Sequence, residues 1–312
     1  MSTDQELVVE QRGHVLWLTI QREERRNAIN GAVLGGLRQA LVQAGQDPAV
    51  RAVVLTGAGT RAFCAGADLQ SGQSFRFDYS QPHQGLADLL REARRCTVPL
   101  IARVNGACMA GGMGLLAMCD LAVASRTATF GLPEVKVGVF PAQVLAALQN
   151  LLPRRVLNEL CLTGETIDAE RALSIGLVNH LADADALDAT LGALLARLLD
   201  KSPSAIRRGL YTLKHTEHLG FEQAVASAGA IAGATAEELT RLHDAAIEAG
   251  LATQFSPTQA TQALQDLAAA GFNVTESVRL LNPVLDLAAG SLGQLTPSQA
   301  AGLASQAMKA FG

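Results

Sequence analysis

The chain has no long basic run, no uninterrupted apolar stretch of about 18 residues, no cysteine pair at CxxC spacing and no HExxH segment. Each absence closes off a class of function. With a formal net charge of −4 and no clustered lysine or arginine, the chain has no electrostatic footprint for nucleic acid. Nothing in it is apolar for long enough to span a membrane. The first residues, "MSTDQELVVEQRG", carry acids and lack the basic-then-apolar order of a secretory signal, so a cytoplasmic location is expected. The five cysteines, at 64, 96, 108, 119 and 161, lie in apolar contexts and read as reduced core residues rather than disulfides or zinc ligands. The six histidines (14, 83, 180, 215, 218 and 243) show no metal-ligand spacing, so no metal is expected. Charged residues make up only 17% and apolar residues 49% of 312, which allows a sizeable core in one large domain or two ordinary ones.

What is present reads first as strand and helix in alternation. "LVVEQRGHVLWLTIQR" alternates around Gly13 and His14 and predicts a hairpin with its second strand at 15–20. Apolar residues at 33, 34, 37, 41 and 42 predict a helical face, and 51–56 a short buried strand. Residues 84–95 read as helix, and Pro99 opens the strand "LIARVN". From 142 to about 230, helical patterns follow one another. This order implies an α/β core with helices at its end.

The segment "NGACMAGGMGLLAMCD" (105–120) raises the functional question, because before Asp120 it has no carboxylate and no imidazole, yet glycine stands at 106, 111, 112 and 114. An earlier stretch, "VVLTGAGTRAFCAGADL", mimics a dinucleotide fingerprint at Gly57-Ala-Gly59-Thr-Arg-Ala62. That reading needs a helix opening at the glycines and an acid closing the next strand about 20 residues on. Asp78 sits near that spacing but within the polar, aromatic "SFRFDYSQ", so nucleotide binding is not expected. Taken together, "FCAGADL" puts Ala67 just before Asp68 and "MAGGMGL" puts Gly111 at a helix start. Each place can turn a backbone N–H outward, and two such donors meeting at one carbonyl oxygen form an oxyanion hole. Tight helix–strand packing at glycine is the competing account of either segment alone.

In order and spacing, "RRNAIN" (25–30), "VVLTGAGTRAFCAGADL" (53–69), "RVNGACMAGGMGLLAMCDLAVAS" (103–125), "FGLPEVKVGVFP" (130–141) and "LTGETIDAERALSIGLVNHL" (162–181) resemble the enoyl-CoA hydratase/isomerase, or crotonase, family. The resemblance covers roughly residues 5–228. It implies a ββα spiral core, a trimer or hexamer, and an acyl-CoA substrate whose thioester enolate is held by the N–H groups of Ala67 and Gly111. No cofactor is implied beyond the coenzyme A of the substrate. Family hydratases commonly set two glutamates around one water. The second matches Glu134, while the position of the first is Gly114. Branches resembling this chain, among them methylglutaconyl-CoA hydratases and polyketide-associated dehydratases and decarboxylases, also lack the first. A single carboxylate can still act as base and then acid. The plainer account of Glu134 is a surface turn residue paired with Lys136.

The resemblance also places Arg26 and Ala28 near the nucleotide or pantetheine of coenzyme A. Ala65, Asp68 and Leu69 fall around the adenine and thioester entrance, and Gly114 lines the substrate site. Arg26 has the charge for a phosphate, although "REERR" also reads as a solvated run. Met109, Met113 and Met118 read as packing residues, and "FRFDYSQPHQ" (75–84) falls on a variable loop over the acyl tail.

After about residue 228 the composition turns to Ala, Gln, Leu, Thr, Ser and Gly. "FSPTQATQAL" (255–264) is echoed by "LTPSQAAGLA" (295–304), each placing Ser256 or Thr296 as an N-cap before proline. The expected division is therefore a crotonase-like domain over 1–228 and an all-helical appendage over 229–312, packed on the helices of 200–228 or on a neighbouring subunit. The appendage resembles a helical stretch of phage tail tape-measure proteins, a resemblance that implies a fusion, natural or artificial. The family's usual closing helix has no match here, and the appendage is expected either to stand in for it or to be an inert fusion. The leading expectation is a hydratase-type lyase acting on an α,β-unsaturated acyl-CoA. The alternatives are a methylglutaconyl-type or other branched enoyl-CoA hydratase, an isomerase or decarboxylase of the same family, a catalytically silent acyl-CoA-binding protein, or a structural phage-like protein.

Overall fold

The computed structural model describes residues 6–68, 84–217, 219–221, 224, 236–291 and 294–311. It falls into two compact units, Met1–Ile206 and Arg207–Gly312. The expected boundary at 228/229 and the loop residues 75–83, with Asp78, lie outside the described residues.

In the first unit the expected hairpin forms from β1 (Leu7–Arg12) and β2 (Val15–Ile20), turned by Gly13 at φ 59°. Three strand–strand–helix turns then follow. The first strands, β3 (Ala52–Gly57), β5 (Leu100–Val104) and β7 (Leu121–Ser125), join β2 in parallel in a six-stranded sheet of order β1-β2-β3-β5-β7-β10. The last of these, β10, is His180–Ala182. The second strands, β4 (Ala62–Cys64), β6 (Ala107–Met109) and β8 (Thr129–Gly131), make a smaller parallel set. It is closed on its edge by antiparallel β9 (Thr166–Asp168). This is the ββα spiral that the motifs implied.

Strand β3 is buried along its whole length, as a parallel strand covered on both faces must be. Alternation sends Ala52 and Val54 to one face, packed with Leu187, Leu191 and Leu195 of α7 (Leu187–Leu199). Val53 and Leu55 go to the other, against α1 (Gly31–Gln46) and α2 (Gly85–Arg95). In α1 the inward face is Val33, Leu37, Ala40, Leu41 and Ala44, and Val42, expected inside, is exposed. Strands β6, β9 and β10 were not foreseen. At three residues each they are too short to show alternation. All five cysteines are unpaired thiols, four of them buried. No helix among the described residues is long and apolar enough to cross a membrane.

In the second unit, α8 (Pro203–Thr216), through which the division passes, leads to α9 (Ala236–Ala252), α10 (Pro257–Ala269), α11 (Val274–Gly290) and α12 (Pro297–Phe311). Their apolar faces cover one another: Ala246, Ala249, Ala263, Leu267, Leu281, Leu285 and Ala300 form a separate core. The expected N-caps are real. The Ser256 hydroxyl accepts from the Gln259 N–H and the Gln259 side chain accepts from the Ser256 N–H, and Thr296 and Gln299 repeat the arrangement. Because the core is drawn from these four helices, residues 236–312 expressed alone are expected to be helical and to melt cooperatively by circular dichroism. A fragment without helical signal would show that the core depends on the rest of the chain.

Candidate active site

Three neighbouring parallel strands, β4, β6 and β8, deliver the three residues singled out for catalysis. Ala67 follows β4, Gly111 follows β6 and Glu134 follows β8, so all three leave the same carboxyl edge of one small sheet. Between β4 and β6 the register shifts: Ala62 pairs with Ala107, but Cys64 pairs with Cys108, leaving Phe63 as an extra residue in a β-bulge.

Beyond β4, Ala67 forms an isolated parallel bridge with Ile29. The bridge is made by the Ile29 N–H to the Gly66 carbonyl (2.8 Å) and the Asp68 N–H to the Ile29 carbonyl (2.9 Å). In such a pairing the middle residue's own N–H points away from its partner. Among the described residues the Ala67 N–H donates to nothing.

Gly111 opens α3 (Gly111–Ala117), so its N–H has no acceptor within the helix. Ala110, before it, holds φ 52° and ψ −121°, a conformation where glycine is normal and alanine is strained. That conformation is pinned by the Ala110 N–H to the Gly131 carbonyl at 3.0 Å. The glycines divide in role. A Cβ on Gly112 would lie 2.4 Å from the Cys64 carbonyl oxygen, so packing alone demands glycine there. A Cβ on Gly111 would lie 3.7 Å from the Ala67 nitrogen, which brings the two candidate donors side by side.

Glu134 sits in the short 3-10 turn Pro133–Val137 and is 8% exposed. Its Oε2 is buried and has no hydrogen-bond partner among the described residues. Burial pushes its carboxyl above the ordinary range, against a smaller lowering by its own backbone N–H. Lys136 does not pair with it; that ammonium goes to Glu165 at 3.0 Å, which removes the plainer account. Burial raises the Cys161 thiol, and the negative charge of Glu134 raises it further. At Gly114 an added Cβ would meet Val144 at 3.4 Å and Leu86 at 3.9 Å, so the place of a first glutamate has apolar neighbours.

The candidate coenzyme A contacts are placed as follows. Arg26 is exposed, at φ 51°, and its carbonyl accepts from the Ala65 N–H at 3.0 Å. Ala28 is buried, and Ala65 is half-buried. Asp68 is buried and turned toward Arg22. Leu69 lies outside the described residues. Two residues escaped the sequence. Asn27, fully buried, donates to the carbonyls of Ala58 (2.9 Å) and Ala62 (2.7 Å) and fastens the loop before β4. Arg22, first base of the "REERR" run, is buried with its guanidinium 2.7 Å from Asp68, and breaking such a pair typically costs about 3–5 kcal/mol. Its only signal in the sequence is its position just after β2. Between Gly57 and Ala62 no helix opens, so the fingerprint-like glycines form a turn between strands.

Residues 10–240 match the sequence pattern of the enoyl-CoA hydratase/isomerase family. The chain is 37% identical over 223 residues to a mevalonyl-coenzyme A hydratase of Aspergillus fumigatus, covering 68% of this chain and 77% of that one. It is 36% identical to an enoyl-CoA hydratase of Mycobacterium tuberculosis, covering 67% and 80%. The crystal structure of an enoyl-CoA hydratase of Mycobacterium smegmatis superposes with a TM-score of 0.70 at 32% identity, over 79% of this chain and 95% of that one.

Proposed function

The chain belongs to the enoyl-CoA hydratase/isomerase family, and we propose that it is a hydratase-type lyase that adds water to an α,β-unsaturated acyl-CoA with one catalytic carboxylate. The observation that carries this reading is the adjacency of two backbone N–H groups, Ala67 and Gly111, uncommitted among the described residues, on the strand edge that also delivers a buried carboxyl, Glu134. The substrate's thioester carbonyl oxygen accepts from both N–H groups. Glu134 as carboxylate takes a proton from water while the water oxygen bonds to Cβ, and the electron pair of the double bond moves onto the thioester oxygen as an enolate. The two donors hold that charge, aided by the N-terminus of α3. Glu134, now the acid, returns a proton to Cα, which restores the carboxylate. Water addition is redox-neutral overall, so no cofactor is assigned beyond the coenzyme A that the substrate carries.

Arg26 is proposed for a coenzyme A phosphate, with Ala28, Ala65 and Leu69 along the pantetheine and thioester. A homotrimer or hexamer is proposed as the assembly. Exposed Val137, Phe140 and Leu162 are apolar surface of the kind subunit contact buries. A second reading is favoured by the apolar neighbours of Gly114. With no second carboxylate there, a branched enoyl-CoA hydratase, an isomerase or a decarboxylase needs only the enolate site and Glu134.

The test is exchange of the α-protons of a saturated acyl-CoA in deuterated water, run beside hydration of straight and branched enoyl-CoAs. Exchange with hydration supports the lyase. Exchange with hydration of branched substrates alone, or with no hydration, favours the second reading. Acyl-CoA binding with neither leaves only a silent binding protein.

Because burial raises the Glu134 carboxyl, its protonated, inactive form accumulates at higher pH than for an exposed glutamate. The acid limb of the kcat/KM profile is therefore expected above the ordinary glutamate value of about 4.3. A limb at that ordinary value would show that Glu134 does not set it.

A further inference from the structure

The Arg22 guanidinium reaches three pieces of chain at once: the Glu6 carboxylate through Nε (2.8 Å), the Ala28 carbonyl through Nη1 (2.5 Å) and the Asp68 carboxylate through Nη2 (2.7 Å). Its side chain is 9% exposed and that of Asp68 is 10% exposed. Ala28 immediately precedes Ile29, and Asp68 immediately follows Ala67, so the arginine fork spans the Ile29–Ala67 bridge from one flank to the other. That bridge is isolated, with no ladder on either side to hold it. The bonds from Ile29 to Gly66, from Asp68 to Ile29 and from Arg22 to both flanks fix the peptide that carries the Ala67 N–H. None of them uses that N–H.

We propose that Arg22 is a positioning residue, one that aims the Ala67 N–H at the substrate's thioester oxygen by clamping the strand pair on either side of it. This rests on the oxyanion reading of Ala67. The planar fork is essential, because it meets a carbonyl and a carboxylate together, whereas an ammonium is a single point on a flexible stem. Misplacing a reacting group by about 1 Å can cost about 10²-fold in rate, so a loosened clamp is read in kcat.

The experiment uses full-length Arg22→Lys, with Asp68→Asn as the milder variant should lysine prevent folding. Three quantities are measured: kcat and KM on the best enoyl-CoA, thermal stability, and amide hydrogen exchange across residues 64–68 by mass spectrometry. The expected result is kcat lower by about 10–100-fold with KM nearly unchanged, and faster exchange across 64–68. The double variant is expected to lose little more than either single one, since both break the same clamp. A purely structural ion pair would lower the melting temperature and leave the turnover of the folded fraction intact, and that outcome overturns the proposal. If the wild-type protein turns over no enoyl-CoA, the proposed function fails separately. Amide exchange then decides the clamp alone, and unchanged exchange in Arg22→Lys overturns it.

Discussion

Replacing Glu134 with glutamine is expected to lower kcat by about 10²–10⁴ while acyl-CoA binding is largely kept. The substitution keeps the size and one acceptor oxygen and removes the carboxyl to which the proton transfers are assigned. Its stability serves as an internal control. A carboxyl whose folded pKa is raised favours the folded state while protonated, and that contribution is lost as pH rises through the folded pKa. At neutral pH the native charge is buried at a cost, and glutamine is free of it. The variant should therefore be at least as stable as the wild type near pH 7, so that a fall in rate cannot be assigned to unfolding. Unchanged turnover on the best substrate would remove Glu134 from the mechanism.

Proline at either donor is the second large effect. Ala67→Pro deletes an N–H that no hydrogen bond of the bridge uses, because Gly66 and Asp68 supply the bonds to Ile29. Gly111→Pro places proline at the first position of α3, where the missing N–H costs the helix nothing. Each is expected to slow α-proton exchange by about 10²–10³, with Glu134 untouched. The alanine site is the cleaner of the two, since Ala110 at φ 52° must readjust before a proline. Circular dichroism checks the fold. A folded Ala67→Pro protein that still exchanges at the native rate would refute the oxyanion assignment.

The sequence was most legible where chemistry needs unusual residues. Glycines at 66, 111 and 112 announced close backbone approach, and the approach is there, although at Gly112 it serves packing against Cys64 and not substrate. Glu134 stood out only through the resemblance, at the position of the family's second glutamate. Arg22 did not stand out. In "REERR" it looks like one more solvated charge, and only the fold shows that β2 ends by sending it inward. The short strands β6, β9 and β10 were hidden because three residues cannot display a period of two. In the helical region the caps at Ser256 and Thr296 were visible as cap-then-proline pairs. That the helices cover one another could not be read from amphipathic patterns, which say how much must be buried but not against what.

The bulge at Phe63 turns the meeting of the two donors into a matter of counting. Cys64 and Cys108 are level across the strands, and each donor stands three residues further on, at Ala67 and Gly111. Continuing the Ala62–Ala107 register without the extra residue would bring Gly66, not Ala67, level with Gly111. One step along a strand is about 3.3 Å, roughly the length of a hydrogen bond. The site should therefore tolerate almost no change in the length of these segments. A single inserted or deleted codon between 62 and 67, or between 107 and 111, would put the donors out of step.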